Sequence, residues 1–226
     1  MKITYYGQSA FLLETGPEFR ALIDPFLTGN PLCPVSAKSI SGITHIFVTH
    51  GHGDHLGDTA PIAKRCGSLV VTNHELGDFL AKQGVRVHTM HIGGRVRMDF
   101  GRVKMTPALH GSGISTAEGM KEGGNPCGFL IETGGKKIYH AGDTGLTMDM
   151  KLLEAESVDL AMLPIGGNFT MDIDDAVRAV SFIRPKLVVP MHYNTFDVIR
   201  ADPEEFKAKV QDAQVLVLKP GESMEL

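Results

Sequence analysis

The sequence predicts one mixed α/β (α+β) domain spanning residues 1–226, a sandwich of strands with helices packed outside it. Two observations carry that expectation. Short β-rich apolar runs bounded by Gly, Pro, Asn and Asp recur along the whole chain. Strand–loop–helix segments occur in both halves, and no linker or low-complexity stretch divides them.

The N-terminal third reads as strands at 3–6, 11–14, 21–24 and 45–49. The last contains Ile46-Phe47-Val48, a continuous apolar run of the kind a buried strand requires. Helices are expected at 59–66 and 74–82, the second closed by Gly84, with a buried strand at 69–72 between them. In the middle, strands at 95–98 and 102–106 flank a turn at Asp99-Phe100-Gly101. A Gly-rich loop covers 111–124, and strands at 128–132 and 137–140 flank Thr133-Gly134-Gly135. The last third alternates: strand 159–163, helix 174–183 capped by Asp172 or Asp174, strand 187–190, helix 201–210 and strand 215–218. The helix at 201–210 has a strong start, with Asp202 at N-cap, Pro203 at N1 and Glu205 at N3.

Composition narrows the function classes. Hydrophobic residues make up 42% and charged residues 21%, enough for a core without disulfides. Net charge is −4, and Lys104, Lys121, Lys136 and Lys137 are scattered, so no basic stripe favours nucleic acid. A small anionic substrate held by metals and local cations is compatible with that balance. Three cysteines without CxxC spacing read as buried or half-buried thiols of a reducing compartment. No apolar run reaches membrane-spanning length and the N-terminus reads as a strand, so a cytoplasmic protein is expected, with homo-oligomerisation left open.

The chemistry concentrates in His50-Gly51-His52-Gly53-Asp54-His55, directly after the buried strand. Imidazole and carboxylate are ligands for borderline divalent metals such as Zn, Mn, Fe and Ni. With ten histidines in the chain, chance placement of such a cluster is on the order of one in a thousand. The interleaved Gly51 and Gly53 are expected to keep side chains from crowding the ions. One loop cannot complete two metal sites. Three further candidates also stand at strand ends followed by small residues: His110, Asp143 and His192. His140 precedes Asp143 by three residues and is either a proton donor at the site or a packed strand histidine. Asn194 is a candidate for orienting substrate. His45, His74, His88 and His91 read as ordinary strand, cap or surface residues.

The segment Thr49–Asp58 resembles the signature of the metallo-β-lactamase superfamily. Ile23–Phe26, Ala108–His110, Ala141–Gly145 and Pro190–Tyr193 resemble its other motifs, in their usual order. The likeness extends over nearly the full length and is greatest to the UPF0173 metal-dependent hydrolases, relatives of the ascorbate-6-phosphate lactonases. It implies a four-layer αβ/βα sandwich. It also implies two divalent metal ions: His50, His52 and His110 on the first, Asp54, His55 and His192 on the second, and Asp143 bridging both. Asp54 and Asp143 would then be catalytic as well as metal-binding. Asp24 would accept a hydrogen bond from a ligand imidazole or the motif loop, its alternative being a turn residue before Pro25. One departure stands out: UPF0173-like chains commonly carry Gly-His-Ser where this one has Gly7-Gln8-Ser9. Gln cannot gain charge near neutral pH.

The reaction so implied is hydrolysis by a metal-bridging hydroxide, with phosphodiesters or phosphorylated lactone-type molecules as leading substrates. A β-lactamase-like amide hydrolase and a non-enzymatic metal-binding scaffold or sensor are the alternatives. A redox role of the flavo-diiron kind is disfavoured, because His52 stands where that branch typically has Glu.

Overall fold

In the computed structural model, which describes residues 1–226, the chain opens with β1 (Lys2–Tyr5), β2 (Phe11–Gly16), β3 (Phe19–Ile23) and β4 (His45–Phe47). It continues through α1 (Gly53–Leu56), α2 (Thr59–Cys66), β5 (Leu69–Asn73), α3 (His74–Ala81) and β6 (Arg86–Met90). The middle comprises β7 (Arg95–Met98), β8 (Gly101–Pro107), β9 (Ile114–Thr116), β10 (Gly119–Lys121), β11 (Cys127–Thr133) and β12 (Lys136–His140). A 3₁₀ stretch (Met148–Glu156) leads to β13 (Leu160–Pro164), α4 (Ile173–Ile183), β14 (Leu187–Met191), α5 (Pro203–Lys209), β15 (Gln214–Val215) and β16 (Ser223–Glu225).

The strands form two seven-stranded sheets, ordered β16-β1-β2-β3-β4-β5-β6 and β15-β14-β13-β12-β11-β8-β7. In the first, β1, β2 and β3 are antiparallel, while β3 to β6 run parallel. In the second, β7, β8, β11 and β12 are antiparallel, and β12 to β15 are parallel.

Strand periodicity explains the layers. Alternate side chains point to opposite faces, and in the first sheet the two faces are both apolar. Phe11, Leu13, Ala21, Ile23, Phe47 and Val71 share one buried cluster with Val103, Met105, Phe129 and Ile131 of the second sheet. Leu12, Leu22, Ile46, Val48 and Val70 belong instead to a cluster with Ile62 and Ala63 of α2 and Leu76 and Leu80 of α3. Phe47 and Phe129 meet edge-on between the sheets, 5.4 Å apart. Each such ring, fully buried, contributes about 2–3 kcal/mol. The second sheet is covered outside by α4 and α5, whose Ala176, Val180, Ile183 and Phe206 complete the larger cluster. All five residues of β13 are buried, as a central strand between two covered faces must be. Helices thus lie outside two facing sheets, the four layers expected.

Local signals account for the helices. α2 occupies the predicted span and ends at Gly67 in a left-handed conformation. Asp172 caps α4 and Asp202 caps α5, each by its side chain. Five strands differ from the sequence reading. β6 was not expected, because its Arg86-Val87-His88-Thr89-Met90 is polar and only partly buried at the sheet edge. β9 and β10 form an exposed hairpin within the Gly-rich loop. β16 exists through its partner, pairing three residues with β1. The expected strand at 215–218 shrinks to β15, which pairs two residues with β14.

Both parallel blocks end at the same rim. The turn after β3, the loops after β4 and β8, and the turns after β12 and β14 carry Asp24, His50–His55, His110, Asp143 and His192 respectively. Ligand sites of open α/β sheets form where the carboxyl ends of strands meet. No helix of the chain is long and apolar enough to cross a membrane.

Candidate metal centre

The loop after β4 begins with a fixed anchor. Thr49 donates its backbone N–H to Asp24 Oδ1 at 2.8 Å and its hydroxyl to Asp24 Oδ2 at 2.7 Å. Asp24 Oδ2 also accepts from His55 Nδ1 at 2.8 Å. The carboxylate is fully buried and its backbone is left-handed, φ 45°, a conformation Asp tolerates better than most residues. Asp24 thus receives three donors, one of them a ring that also faces the cluster, as the family motif implied. With Nδ1–H committed to Asp24, His55 presents Nε2 to the cluster.

α1 is one turn, Gly53–Leu56, which places Asp54 and His55 beside each other after His52. Gly51 answers a different need from the one expected. A Cβ there would sit 2.7 Å from Ile114 and 2.9 Å from the Ser112 carbonyl, whereas one on Gly53 would meet open space. Gly51 therefore lets the 111–114 segment pack against the loop. Gly142 is required on two counts: its φ is +63°, and a Cβ would lie 2.6 Å from the Cys127 carbonyl. It turns the chain out of β12 and brings Asp143 to the rim.

Two sets of donor atoms converge. His50, His52 and His110 form one; Asp54, His55, Asp143 and His192 form the other; within each set the donor atoms lie within 4.8 Å of one another. Asp143 faces both. Its Oδ1 is 3.1 Å from His55 Nε2, and its Oδ2 is 2.9 Å from His192 Nε2 and 3.5 Å from His110 Nε2. All seven sequence-derived candidates are therefore brought together.

The donor set fits a divalent cation. His55 Nε2 and Asp143 Oδ1 are buried and, despite their proximity, make no hydrogen bond. Buried polar atoms normally find partners; these two instead point into a shared space that a cation would fill. Imidazole nitrogens and carboxylate oxygens are the right ligands for Zn, Mn, Fe or Ni.

Electrostatics divides the two sets. Burial holds the pKa of His50 well below its ordinary value, and burial also lowers His52 and His110. These three rings are neutral and ready to ligate. In the other set burial acts against charge, but mutual pairing wins. The carboxylates of Asp143 and Asp24 hold the His55 imidazole well above its ordinary value, and Asp143 pushes His192 up to about 9 against the cost of burial. The two imidazoliums in turn outweigh burial and hold Asp143 well below the usual carboxylate range, and Asp54 is lowered with it by the nearby His192 and His55 rings.

In metal-free protein this pairing makes stability depend on pH. His192 binds a proton more tightly folded than unfolded, so its contribution is complete below its ordinary value of 6.5 and is lost as pH rises through about 9. The loss from this group is bounded at about 3 kcal/mol. In EDTA, the melting temperature is expected to fall steadily between pH 6.5 and 9.5, and H192Q is expected to flatten that fall. An equally steep decline in H192Q would assign it to other groups.

Gln8 lies inside the site. Its side chain is fully buried, its backbone is left-handed at φ 56°, and its Nε2 donates to Asp54 Oδ2 at 2.8 Å. It therefore orients Asp54 rather than reaching the open cleft. His140 is the packed strand histidine of the two alternatives. Gly142 N–H donates to its Nδ1 at 3.1 Å, which leaves Nε2–H to donate to the Ser9 carbonyl at 3.0 Å. Fully buried and edge-on to Phe11, it has no nitrogen free to move a proton at the site, which corrects its expected catalytic role. Asn194 is also engaged locally, both side-chain ends bonded to the backbone of Ala201. The three cysteines are free, Cys127 buried and the others half-buried.

Sequence reading missed the walls. A cleft of about 480 Å³ opens over the donor atoms, lined by His52, Gly53, Asp54, His110, Asp143 and His192 together with Phe26, Phe169 and Phe196. The available signal was an aromatic residue just past a strand end in three separate loops. A roomier groove, about 600 Å³, lies at the amino ends of β4, β5 and β6 among His45, Arg86, Arg97 and Asp99. It holds none of the two donor sets and is remote from them in the fold.

Fold and site together define a metal-dependent hydrolase of the metallo-β-lactamase kind. A model described as "Beta-lactamase superfamily domain" matches residues 10–193, and the chain belongs to that superfamily, among the UPF0173 metal-dependent hydrolases. The UPF0173 metal-dependent hydrolase of Alkaliphilus metalliredigens is 60% identical over 222 residues, covering 98% of both chains. That of Pelotomaculum thermopropionicum is 51% identical over 100% of both. Among solved structures, Igni18, a metallo hydrolase from the archaeon Ignicoccus hospitalis, superposes with a TM-score of 0.89 at 39% identity, covering 100% of this chain and 98% of that one. An isothiocyanate hydrolase from Delia radicum gut bacteria shares the fold, with a TM-score of 0.78 at 20% identity, covering 100% and 99%.

Proposed function

We propose that the chain is a binuclear hydrolase in which His50, His52 and His110 hold one divalent ion, Asp54, His55 and His192 hold a second, and Asp143 is shared. The observation that carries this reading is the pair of donor sets with Asp143 between them. When bound, two such ions supply an activated water and polarise a carbonyl or phosphoryl oxygen. The protein's own part is positional. Asp24 fixes the His55 tautomer, Gln8 holds Asp54, and Gly142 sets the turn that presents Asp143. Such supporting partners tune ligand affinity.

The cleft refines the substrate. No Lys or Arg lines it, so a charged group remote from the reacting centre has no counter-ion there. Phosphodiesters and carboxylic esters or lactones, whose reacting group is drawn to the metals themselves, fit better than a phosphorylated lactone whose phosphate stands apart.

The test is turnover of bis-p-nitrophenyl phosphate and a carboxylic ester panel by Mn-, Ni- and Zn-loaded protein, with EDTA-treated protein as control. Metal-dependent release of p-nitrophenol is expected. Absence of turnover in every form with bound metal demonstrated would replace this reading by that of a metal-binding scaffold.

A further inference from the structure

The three phenylalanines over the donor atoms are unusual for what they expose. Phe169 is 55% and Phe196 40% exposed, and Phe26, half-buried, has its ring 6.5 Å from that of Phe196. They come from three loops: after β3, after β13 and after β14. Exposed aromatic rings placed together around a cleft are a cost to the free protein unless something covers them. Leu109, next to His110, and Val198, two residues past Phe196, are 65% and 59% exposed and extend the apolar character of these loops. Against this, the cleft offers no Lys or Arg, and its only carboxylates are Asp54 and Asp143 among the donor atoms.

The geometry points to an uncharged hydrophobic substituent as the specificity element: we infer that the substrate is an ester or related acyl or phosphoryl compound carrying an aryl or medium alkyl group, which Phe26, Phe169 and Phe196 cover. The inference rests on the hydrolase reading above and names its substrate class. The polar end of the substrate meets the His and Asp donors, and the apolar end replaces water on the three rings. Pockets of this kind combine an apolar wall with a few convergent polar groups.

Binding can be read apart from turnover. Metal-loaded protein is titrated by calorimetry with acetohydroxamate, 3-phenylpropionohydroxamate and succinohydroxamate, which share one metal-binding group and differ in an absent, aryl or carboxylate tail. Burial of the aryl tail is expected to tighten binding about 30-fold over acetohydroxamate, with no gain for succinohydroxamate. In the F169A/F196A double variant the aryl advantage is expected to fall to within about threefold. Leu152→Ala, an exposed residue that does not line this cleft, serves as control and retains it. A parallel series of p-nitrophenyl acetate, butyrate and hexanoate should show kcat/KM rising with chain length, about fourfold per buried methylene at most. Equal affinity for the three hydroxamates, preference for the succinyl tail, or an aryl advantage unchanged in the double variant would overturn the inference. An aryl preference lost in the double variant upholds it even if no ester is turned over, in which case only the proposed reaction fails. Ester turnover without aryl or chain-length preference would sink the inference and leave the reaction standing.

Discussion

Asp143→Asn is expected to lower kcat/KM by about 10³-fold, on the scale of removing a preorganised charge from an active centre, while leaving the fold in place. Asn preserves the side-chain shape and removes the negative charge. No other anion touches both donor sets: Asp143 lies within 3.5 Å of His55, His192 and His110. Its loss weakens both ion sites together, so metal content after dialysis should fall along with activity. Its loss also leaves His55 and His192 without their main counter-charge, so the metal-free variant should not hold His192 near 9. Circular dichroism and metal analysis accompany the kinetics. Activity within tenfold of the parent, with metal content unchanged, would exclude a shared role.

Asp24→Ala has the largest expected effect on stability. The substitution leaves three buried donors, Thr49 N–H, Thr49 Oγ1 and His55 Nδ1, without their acceptor. Each orphaned donor costs about 1–3 kcal/mol, and relief by partial repacking brings the total to about 3–5 kcal/mol. Ala also fits poorly at a φ of 45°. The effect reaches the metal centre because the Asp24 bond fixes which nitrogen His55 presents. Loss of such an orienting partner weakens metal affinity about 10–100-fold. Urea unfolding of the EDTA-treated protein reads the first effect and competition with a chromophoric chelator the second. Unfolding midpoints that match the parent would show that the Thr49–Asp24–His55 cluster is not structural.

Much of the fold is written locally. α2 and the caps of α4 and α5 follow from residues within a few positions, and the buried strands from uninterrupted apolar runs such as Ile46-Phe47-Val48. What escaped depends on partners remote in sequence. Ser223–Glu225 is a strand because β1 lies beside it, and β6 is a polar edge strand stabilised by β5. The seven candidate donors were legible because metal chemistry restricts ligand types and because they either cluster in the one loop after β4 or stand singly just past a strand end. His140 shows where that reading stops. Its place three residues before Asp143 suggested a proton donor, but the left-handed turn at Gly142 separates the two. The ring points between the sheets to the Ser9 carbonyl. Gln8 is the converse case: a residue from the N-terminal loop reaches Asp54 across 46 positions of sequence. Side-chain direction at a strand end is a property of the assembled rim, as is the meeting of Phe26, Phe169 and Phe196.

The most direct measurement is anomalous diffraction from metal-loaded crystals at the absorption edges of Mn, Ni and Zn. Two peaks are expected, one among His50, His52 and His110 and one among Asp54, His55 and His192, with the Asp143 carboxylate touching both. A single peak, or peaks away from these seven side chains, would contradict a shared two-ion centre.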